Sequence, residues 1–183
     1  MTEITDKSDM PLTSVQHKFV VHWGEMGARW GINRTVAQVH ALLFLSSRPL
    51  HAEEIATTLG VARSNVSTSL RELQGWRIVR VVHLLGDRRD HFESLKEVWE
   101  MFRVILEERM KREADPTLAM LRQAVAESKS PGVADAYTRE RLTDMLQFFE
   151  LTTNWCEQAR KLPTAALIRL VKMGDKLGRL LGK

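Results

Sequence analysis

Residues 51–93 read HAEEIATTLGVARSNVSTSLRELQGWRIVRVVHLLGDRRDHFE and divide into parts with different residue patterns. Residues 52–59 and 63–76 each place apolar side chains at steps of three and four, the spacing of an amphipathic helix. Gly60 lies between them and suits the left-handed conformation that ends a helix. Residues 78–92 are rich in valine and contain a Gly-Asp pair, as in a β-hairpin. Helix, turn, helix and hairpin in this order predict a winged helix-turn-helix.

The second helix of this stretch, residues 63–76, has two unlike faces. Val66, Leu70 and Leu73 form an apolar stripe that would pack on the preceding helix. The opposite face carries short polar side chains and arginine, which can approach base edges and phosphates without steric conflict. The predicted DNA contacts on this helix are Arg63, Ser64, Asn65, Ser67, Thr68 and Arg71.

The hairpin carries two adjacent arginines, Arg88 and Arg89, directly after the Gly86-Asp87 pair. Arginines at such a tip can contact phosphates or enter a narrow minor groove. A solvated, charged turn is the simpler interpretation for an isolated hairpin. Because this hairpin follows a helix-turn-helix, we expect a DNA-binding wing.

The basic charge of the chain is concentrated in this region. Residues 60–91 contain six arginines and three acidic residues, which gives a net charge of +3. The whole chain, with 27 basic and 23 acidic residues, carries a net charge of only +4. A localised basic excess of this kind is typical of a surface that binds phosphates.

Several sequence blocks occur here in a familiar order. They are ARWGINRTVAQVHALLFLSSRPLHAEEIATTLGVARSNVSTSLRELQGWRIV and the hairpin LLGDRRDHFE, with RWG, SNVS, LRELQGW and GDRRDHFE as the most distinctive parts. On these blocks the sequence resembles the GbsR/MarR-type winged-helix transcriptional regulators. The resemblance covers roughly residues 15–113 and is much less specific beyond them. It implies a homodimeric, sequence-specific regulator that binds double-stranded DNA and often responds to a small molecule.

The bulk composition limits the class of protein. A length of 183 residues suits one domain, or a small domain with helical extensions. The single cysteine, Cys156, excludes an internal disulfide and fits a reducing compartment. The sequence has no uninterrupted apolar run of about 18 residues and no basic N-terminal region followed by an apolar one. We therefore expect a cytoplasmic protein without membrane spans.

The expected fold is mainly α-helical with a small β-hairpin wing. Residues 1–13 are predicted to be a mobile tail, and residues 14–32 an N-terminal helix that contributes to a dimer interface. Residues 33–93 are predicted to be the winged helix-turn-helix domain, and residues 94–183 a helical region for dimerisation or regulation. Here the pattern predicts a long helix over residues 94–114, with Ser94 as its N-cap and Glu97 completing a capping box.

The apolar stripes of these helices exceed what the winged helix alone can cover, so they need a partner surface. A two-fold dimer provides one and also places two recognition helices one DNA turn apart. Asp115 and Pro116 would break, kink or restart the long helix. The last helix, residues 163–181, is basic and amphipathic and could bind an acidic membrane surface, although a solvated basic face is more usual.

Signals for chemistry are weak. His83, Asp87, Asp90 and His91 are metal-ligand types, but they lie on opposite sides of the hairpin tip, and no Cys-x-x-Cys or His-Glu-x-x-His motif is present. Cys156 is expected to be a buried thiol, with redox sensing as the alternative. No Gly-rich phosphate loop or Ser/His/Asp arrangement is recognisable. The sequence therefore predicts neither an enzyme nor a metal site nor a cofactor.

Three tryptophans, Trp23, Trp30 and Trp99, are the candidates for a small-molecule effector site. Indole faces that share a cavity can hold a cationic ligand, including a quaternary ammonium. The alternative is that these large aromatic side chains fill the dimer core.

Two classes of function remain open, because a fold alone does not fix function. One is a DNA-binding transcriptional regulator, and the other is a winged-helix module that binds protein without touching DNA. A protein-binding module would more often expose apolar groups where this sequence has Ser64, Thr68 and Arg71.

Overall fold

The computed structural model describes residues 12–181, with side chains described as far as residue 174. It is mainly α-helical with one small antiparallel sheet, as the sequence predicts, and it divides after residue 101 into two compact units. The N-terminal unit contains α1 (Ser14–Arg29), α2 (Arg34–Leu45), β1 (Leu50–His51), α3 (Ala52–Leu59), α4 (Arg63–Gly75), β2 (Val79–Val82) and β3 (His91–Ser94). Helix α5 (Val98–Arg109) crosses the division and is followed by a π-helical turn (Met110–Ala114), α6 (Asp115–Glu127), α7 (Ala136–Lys161) and α8 (Thr164–Leu181).

The core of the N-terminal unit forms between α2, α3 and α4. Helix α2 is buried along most of its length, and Val39 and Leu43 are almost completely inaccessible. Ile55 of α3 and Val66 of α4 are equally buried. Gly60 ends α3 in the left-handed conformation, with φ of 64°, so α4 can turn back onto α3. The helix-turn-helix predicted from the sequence is therefore present.

Helix α1 belongs to the same unit because it packs closely on α2. A Cβ atom at Gly27 would lie 2.6 Å from the Cβ of Ala37, and one at Gly24 would lie 2.6 Å from Gln38 Cγ. These separations are too short for real side-chain atoms, so the two glycines permit the close approach of the helices. The predicted tail, residues 1–13, lies outside the described residues except for its end, where Thr13 caps α1.

The sheet has the strand order β1–β3–β2, so the last strand along the chain is the central one. Phe92 of β3 pairs with Leu50 of β1 on one side and with Val81 of β2 on the other. The sequence pattern did not predict β1, because two residues are too few to show an alternation. Residues 83–90 form an eight-residue loop between β2 and β3 (the wing). The loop turns next to the predicted Gly86-Asp87 tip, where the N–H of Asp87 donates to the carbonyl of Leu84 at 3.1 Å.

One lysine connects the end of the wing region to the end of α2. The ammonium of Lys96 donates hydrogen bonds to the carbonyl oxygens of Leu43 at 2.7 Å, Phe44 at 2.9 Å and Ser46 at 2.6 Å. The last carbonyls of a helix lack partners within the helix, and a cation there also interacts favourably with the helix dipole. Lys96 therefore caps α2 from a position about fifty residues further along the chain.

The predicted start of the long helix at Ser94 is wrong. Ser94 is the last residue of β3, where it pairs with Val79, and its buried hydroxyl donates to the carbonyl of Leu95. Helix α5 begins four residues later, at Val98. Glu97 does act at this terminus, since its carboxylate accepts hydrogen bonds from the backbone N–H groups of Trp99 and Glu100.

The helical segment does not break at Asp115 and Pro116. It widens into the π-helical turn, where the N–H of Asp115 donates to the carbonyl of Met110, five residues back. Proline has no N–H to donate, so the wider turn lies where the regular helical ladder would lose a bond. The residues after the turn continue as α6.

The C-terminal unit is built on the packing of α6 against α7. Leu121 and Val125 of α6 are buried, as are Thr153 and Ala159 of α7. Other positions of α7 are exposed, and the large apolar side chains among them are Tyr137, Met145, Phe148, Leu151 and Trp155 (the α7 stripe). Within residues 12–181, no helix is both long and apolar enough to cross a membrane.

Candidate nucleic-acid interface

Helix α4 presents the face that the sequence predicts. Its apolar stripe is buried, and the predicted contact residues lie on the outside, with Ser67 half-buried and the others exposed. Arg63 forms an exposed ion pair with Glu53 of α3, at 3.3 Å. Arg71 donates a hydrogen bond to the hydroxyl of Thr68, at 3.4 Å. Exposed pairs of this kind are weak, so both arginines can exchange these partners for phosphates or base edges.

A groove of about 590 Å³ runs between α4, the start of α3 and the wing. Its floor is apolar, whereas its rim carries three guanidinium groups and two carboxylates. The charged residues that line it are Arg63, Arg71, Arg89, Glu53 and Asp90. Gln74, one turn after Arg71, lines the groove as well. The predicted set of contacts omits Gln74, although glutamine can bond an adenine edge with two hydrogen bonds.

The two wing arginines have different surroundings. Arg88 is exposed and forms no ion pair within the described part of the chain. Arg89 binds Asp87, because its Nε lies 3.0 Å from both carboxylate oxygens and its Nη2 lies 2.6 Å from Oδ2. These hydrogen bonds from Arg89 hold the pKa of Asp87 well below its usual range.

A pair of buried histidines lies beneath the wing. His51 is the N-cap of α3, where its Nδ1 accepts a hydrogen bond from the N–H of Glu54 at 3.2 Å. Its Nε2 lies 3.0 Å from Arg89 Nη1. The ring of His91 packs edge-on against His51, with centroids 5.6 Å apart, and its Nδ1 donates to the carbonyl of Arg89 at 3.0 Å. Burial, followed by the charge of Arg89, lowers the pKa of His51.

Sequence reasoning missed the role of His51. Histidine is not among the residues preferred at N-caps, so the pattern gave no signal of capping. The contact with Arg89 joins residues 38 positions apart, which no local pattern reveals.

The predicted ligand residues have distinct environments. Trp23 stacks on Phe19, with ring centroids 5.3 Å apart, and lies 6.3 Å from the ring of His40. Trp30 directly follows the end of α1 and is exposed, whereas Trp99 is half-buried near the start of α5. Trp23 thus has the packing expected of a core aromatic, and an effector site at these three residues stays a prediction.

The metal-ligand residue types of the hairpin, for which the sequence predicts no metal site, form contacts with one another. His83 lies 3.7 Å from Asp90 on the exposed wing, and His91 lies 3.5 Å from Asp87. In the part of the chain that the structure describes, no group of three His, Cys, Asp or Glu side chains is placed to hold a metal ion. Cys156 is half-buried on α7, so the expectation of a buried thiol is wrong.

Comparison with known proteins supports the architecture described above. A crystal structure described as that of a transcriptional regulator is 19% identical and superimposes with a TM-score of 0.61, over 80% of this chain and 95% of that chain. This likeness concerns the fold alone. A comparison with curated protein sequences found no significant match. The family model that matches is that of the MarR family, and the match spans α2 to the wing. Residues 30–90 of the chain therefore form a MarR-family domain.

Proposed function

We propose that the protein is a sequence-specific transcriptional regulator of the GbsR/MarR type that binds double-stranded DNA in the cytoplasm. One observation carries the proposal: the short polar face of α4 is exposed beside a groove rimmed by arginines and by the wing. The major groove of B-DNA is about 12 Å wide and admits a single helix. With α4 in that groove, the wing would meet the neighbouring backbone or minor groove.

Selection of bound sequences from random double-stranded DNA by the purified full-length protein tests this proposal. We expect enrichment of one motif, and an affinity for it that falls steeply with salt, by a slope of about 0.9 per phosphate contact. A protein-binding module would enrich no motif, so the absence of enrichment at low and moderate salt would contradict the proposal.

We also propose that the protein acts as a homodimer. The proposed interface comprises α1, the segment containing α5 and the helices after it, and we place its centre at Phe102 and Ile105 of α5. The exposed α7 stripe supports self-association, because monomeric proteins rarely expose a large contiguous apolar patch. A two-fold dimer would also present two α4 helices to half-sites about 34–36 Å apart.

The α7 stripe leads to a specific prediction about assembly. At micromolar concentration the protein should sediment at about twice its chain mass of 21.0 kDa. A double variant with serine at both Phe148 and Trp155 should shift the protein toward the monomer. Both side chains are more than half exposed and lie two turns apart on one helix face. The control is Leu85→Ser, which removes an equally apolar, fully exposed side chain from the wing. A wild-type monomer, or a dimer indifferent to both changes, argues against this surface.

A small-molecule effector is a further part of the proposal, and the sequence resemblance supports it more than the geometry does. Half-burial of Trp23 and Trp99 leaves part of each indole accessible to a cationic or flat apolar compound. A compound that quenches tryptophan fluorescence and weakens operator binding, with both effects lost in Trp99→Ala, is the expected result. Fluorescence changes that persist in Trp99→Ala would place the ligand elsewhere.

Protein recognition is the second candidate function, and one feature favours it. Leu84 and Leu85 are exposed in the wing, where apolar side chains are available to a partner protein. Leucine can also contact the minor groove of DNA, so these residues fit both functions. The random-DNA selection separates the two candidates.

A further inference from the structure

Two adjacent leucines, Leu84 and Leu85, lie at the turn of the wing. The exposed fraction of Leu85 is 107%, the highest among the large apolar residues that the structure describes, and that of Leu84 is 41%. The hydrogen bond from the N–H of Asp87 to the carbonyl of Leu84 and the φ of 86° at Gly86 define a β-turn. Leu85 is the second residue of this turn, and the fold leaves its side chain fully in solvent.

The turn lies beside the proposed reading surface. Arg89 and Asp90, on the returning side of the same loop, line the groove that Arg63 and Arg71 of α4 also line. A stable protein interface contains about 20–30 residues on each side, and the centre of its contact area is apolar. The wing instead presents two leucines among charged side chains. This combination of a basic surface and an isolated apolar tip fits DNA better than it fits a partner protein.

The minor groove of DNA offers a binding site for a single apolar side chain. Proteins that bind there insert residues such as leucine between two base pairs and bend the duplex by about 20–90°. With α4 in the major groove, the wing would meet the adjacent minor groove. Pyrimidine–purine steps unstack more easily than others, so an inserted side chain selects sequence without any hydrogen bond to a base.

We propose that Leu85 is an apolar wedge that enters the minor groove at a flexible base step and bends the operator. The proposal rests on the DNA-binding function proposed above and adds a second determinant of its specificity. The face of α4 then reads base edges, whereas Leu85 reads how easily the neighbouring DNA deforms.

Leu85→Asn tests the wedge, because asparagine has nearly the shape of leucine but a polar end. We expect this variant to bind the selected operator about five- to tenfold more weakly, since the buried leucine must offset the cost of unstacking. The salt slope should be unchanged, because leucine neutralises no phosphate. Leu85→Met keeps a long apolar side chain and should restore the affinity.

Bending distinguishes a wedge from a simple surface contact. Energy transfer between dyes at the two ends of the operator should show closer ends with the wild type and a nearly straight duplex with Leu85→Asn. Val133→Asn is the control, because it removes a side chain that is 61% exposed from the turn before α7, and it should bend the operator like the wild type.

Selection from random DNA with both proteins tests the second determinant. The motif of the wild type should contain a pyrimidine–purine step beside the bases that α4 reads. The motif of Leu85→Asn should keep those bases and lose the step. Thermal unfolding of Leu85→Asn should match that of the wild type, because the replaced side chain is fully exposed.

An unbent operator in the wild-type complex would overturn the wedge. Wild-type affinity, bend and motif in Leu85→Asn would also overturn it and would favour a protein partner for the leucines. The proposed function and the wedge fail in different ways. If the wild type enriches no motif, the DNA-binding function itself fails, whereas an enriched motif that Leu85→Asn leaves unchanged contradicts the wedge alone.

Discussion

A triple variant with alanine at Ser64, Thr68 and Arg71 should bind the selected operator about 100- to 1000-fold more weakly than the wild type. These residues form the exposed face of α4, opposite its buried stripe. A contact to a base edge contributes about 1–3 kcal/mol, and a thousandfold loss corresponds to about 4 kcal/mol. Because α4 uses its other face for the core, the variant should fold with nearly unchanged stability.

Binding of the operator and of unrelated DNA, both measured over a range of salt concentrations, is the appropriate comparison. The affinity for unrelated DNA should fall much less, since only one charge is lost, and its salt slope should flatten by about one unit. Lys129→Ala is the control, because it removes one positive charge from the exposed turn after α6. An operator affinity within about twofold of the wild type would exclude α4 as the recognition helix.

The second large effect is a loss of stability in acid caused by His40. This residue of α2 is buried between the rings of Trp23 and Phe44, and its Nε2 has no hydrogen-bond partner among the described residues. Burial, followed by the charge of Lys96, lowers the pKa of His40 to about 4. An unfolded chain exposes the histidine, whose pKa is then the usual value of about 6.5.

The pKa of His40 is lower in the folded protein than in the unfolded chain. The fold is therefore most stable at a pH where this histidine is neutral both when folded and when unfolded. That contribution is complete above pH 6.5 and declines as the pH falls toward 4. A difference of about 2.5 pH units corresponds to about 3 kcal/mol, so the free energy of unfolding should fall by that order between pH 7 and pH 4. The lowered pKa of His51 adds a loss of the same sign as the pH falls below 6.5.

Denaturant unfolding at pH 7 and pH 4 measures this effect. His40→Leu should reduce the difference in the free energy of unfolding between pH 7 and pH 4. Leucine fills the apolar site without a group that must remain neutral. His22→Gln is the control, since His22 is exposed on α1 and its replacement should change stability by less than about 0.5 kcal/mol. A His40→Leu protein as acid-sensitive as the wild type would show that His40 is not the source.

The helices and the orientation of α4 were predictable because they depend on local patterns. Val66, Leu70 and Leu73 repeat at helical spacing, so burial of one face placed Ser64 and Thr68 on the other. Gly60 and Asn33 act at helix ends as their residue types predict, Asn33 by accepting a hydrogen bond from the N–H of Thr35.

The contacts that organise the wing were not predictable, because they join residues far apart in sequence. In the sequence alone, Lys96 cannot be distinguished from an ordinary surface lysine, because its contacts with the carbonyls of α2 depend on the fold. The contacts of Arg89 with Asp87 and His51 depend on the fold in the same way. Ser94 misled the prediction because serine before a glutamate-containing apolar run is typical of a helix start. Here the pairing of β3 with β2 includes that serine in the sheet.

The position of β3 at the centre of the sheet has a consequence for synthesis on the ribosome. Strand β1 has no neighbour until β3 has been made, and the end of α2 waits for Lys96, which follows Leu43 by 53 residues. At about 5–20 residues per second, translation needs roughly 3–10 s to cover that interval. During those seconds α1 to α4 can pack on one another, but the unit still lacks the buried Phe92 of β3 and the contact of Lys96 with α2. Chaperone binding to the nascent chain should therefore end only after residue 96 has emerged.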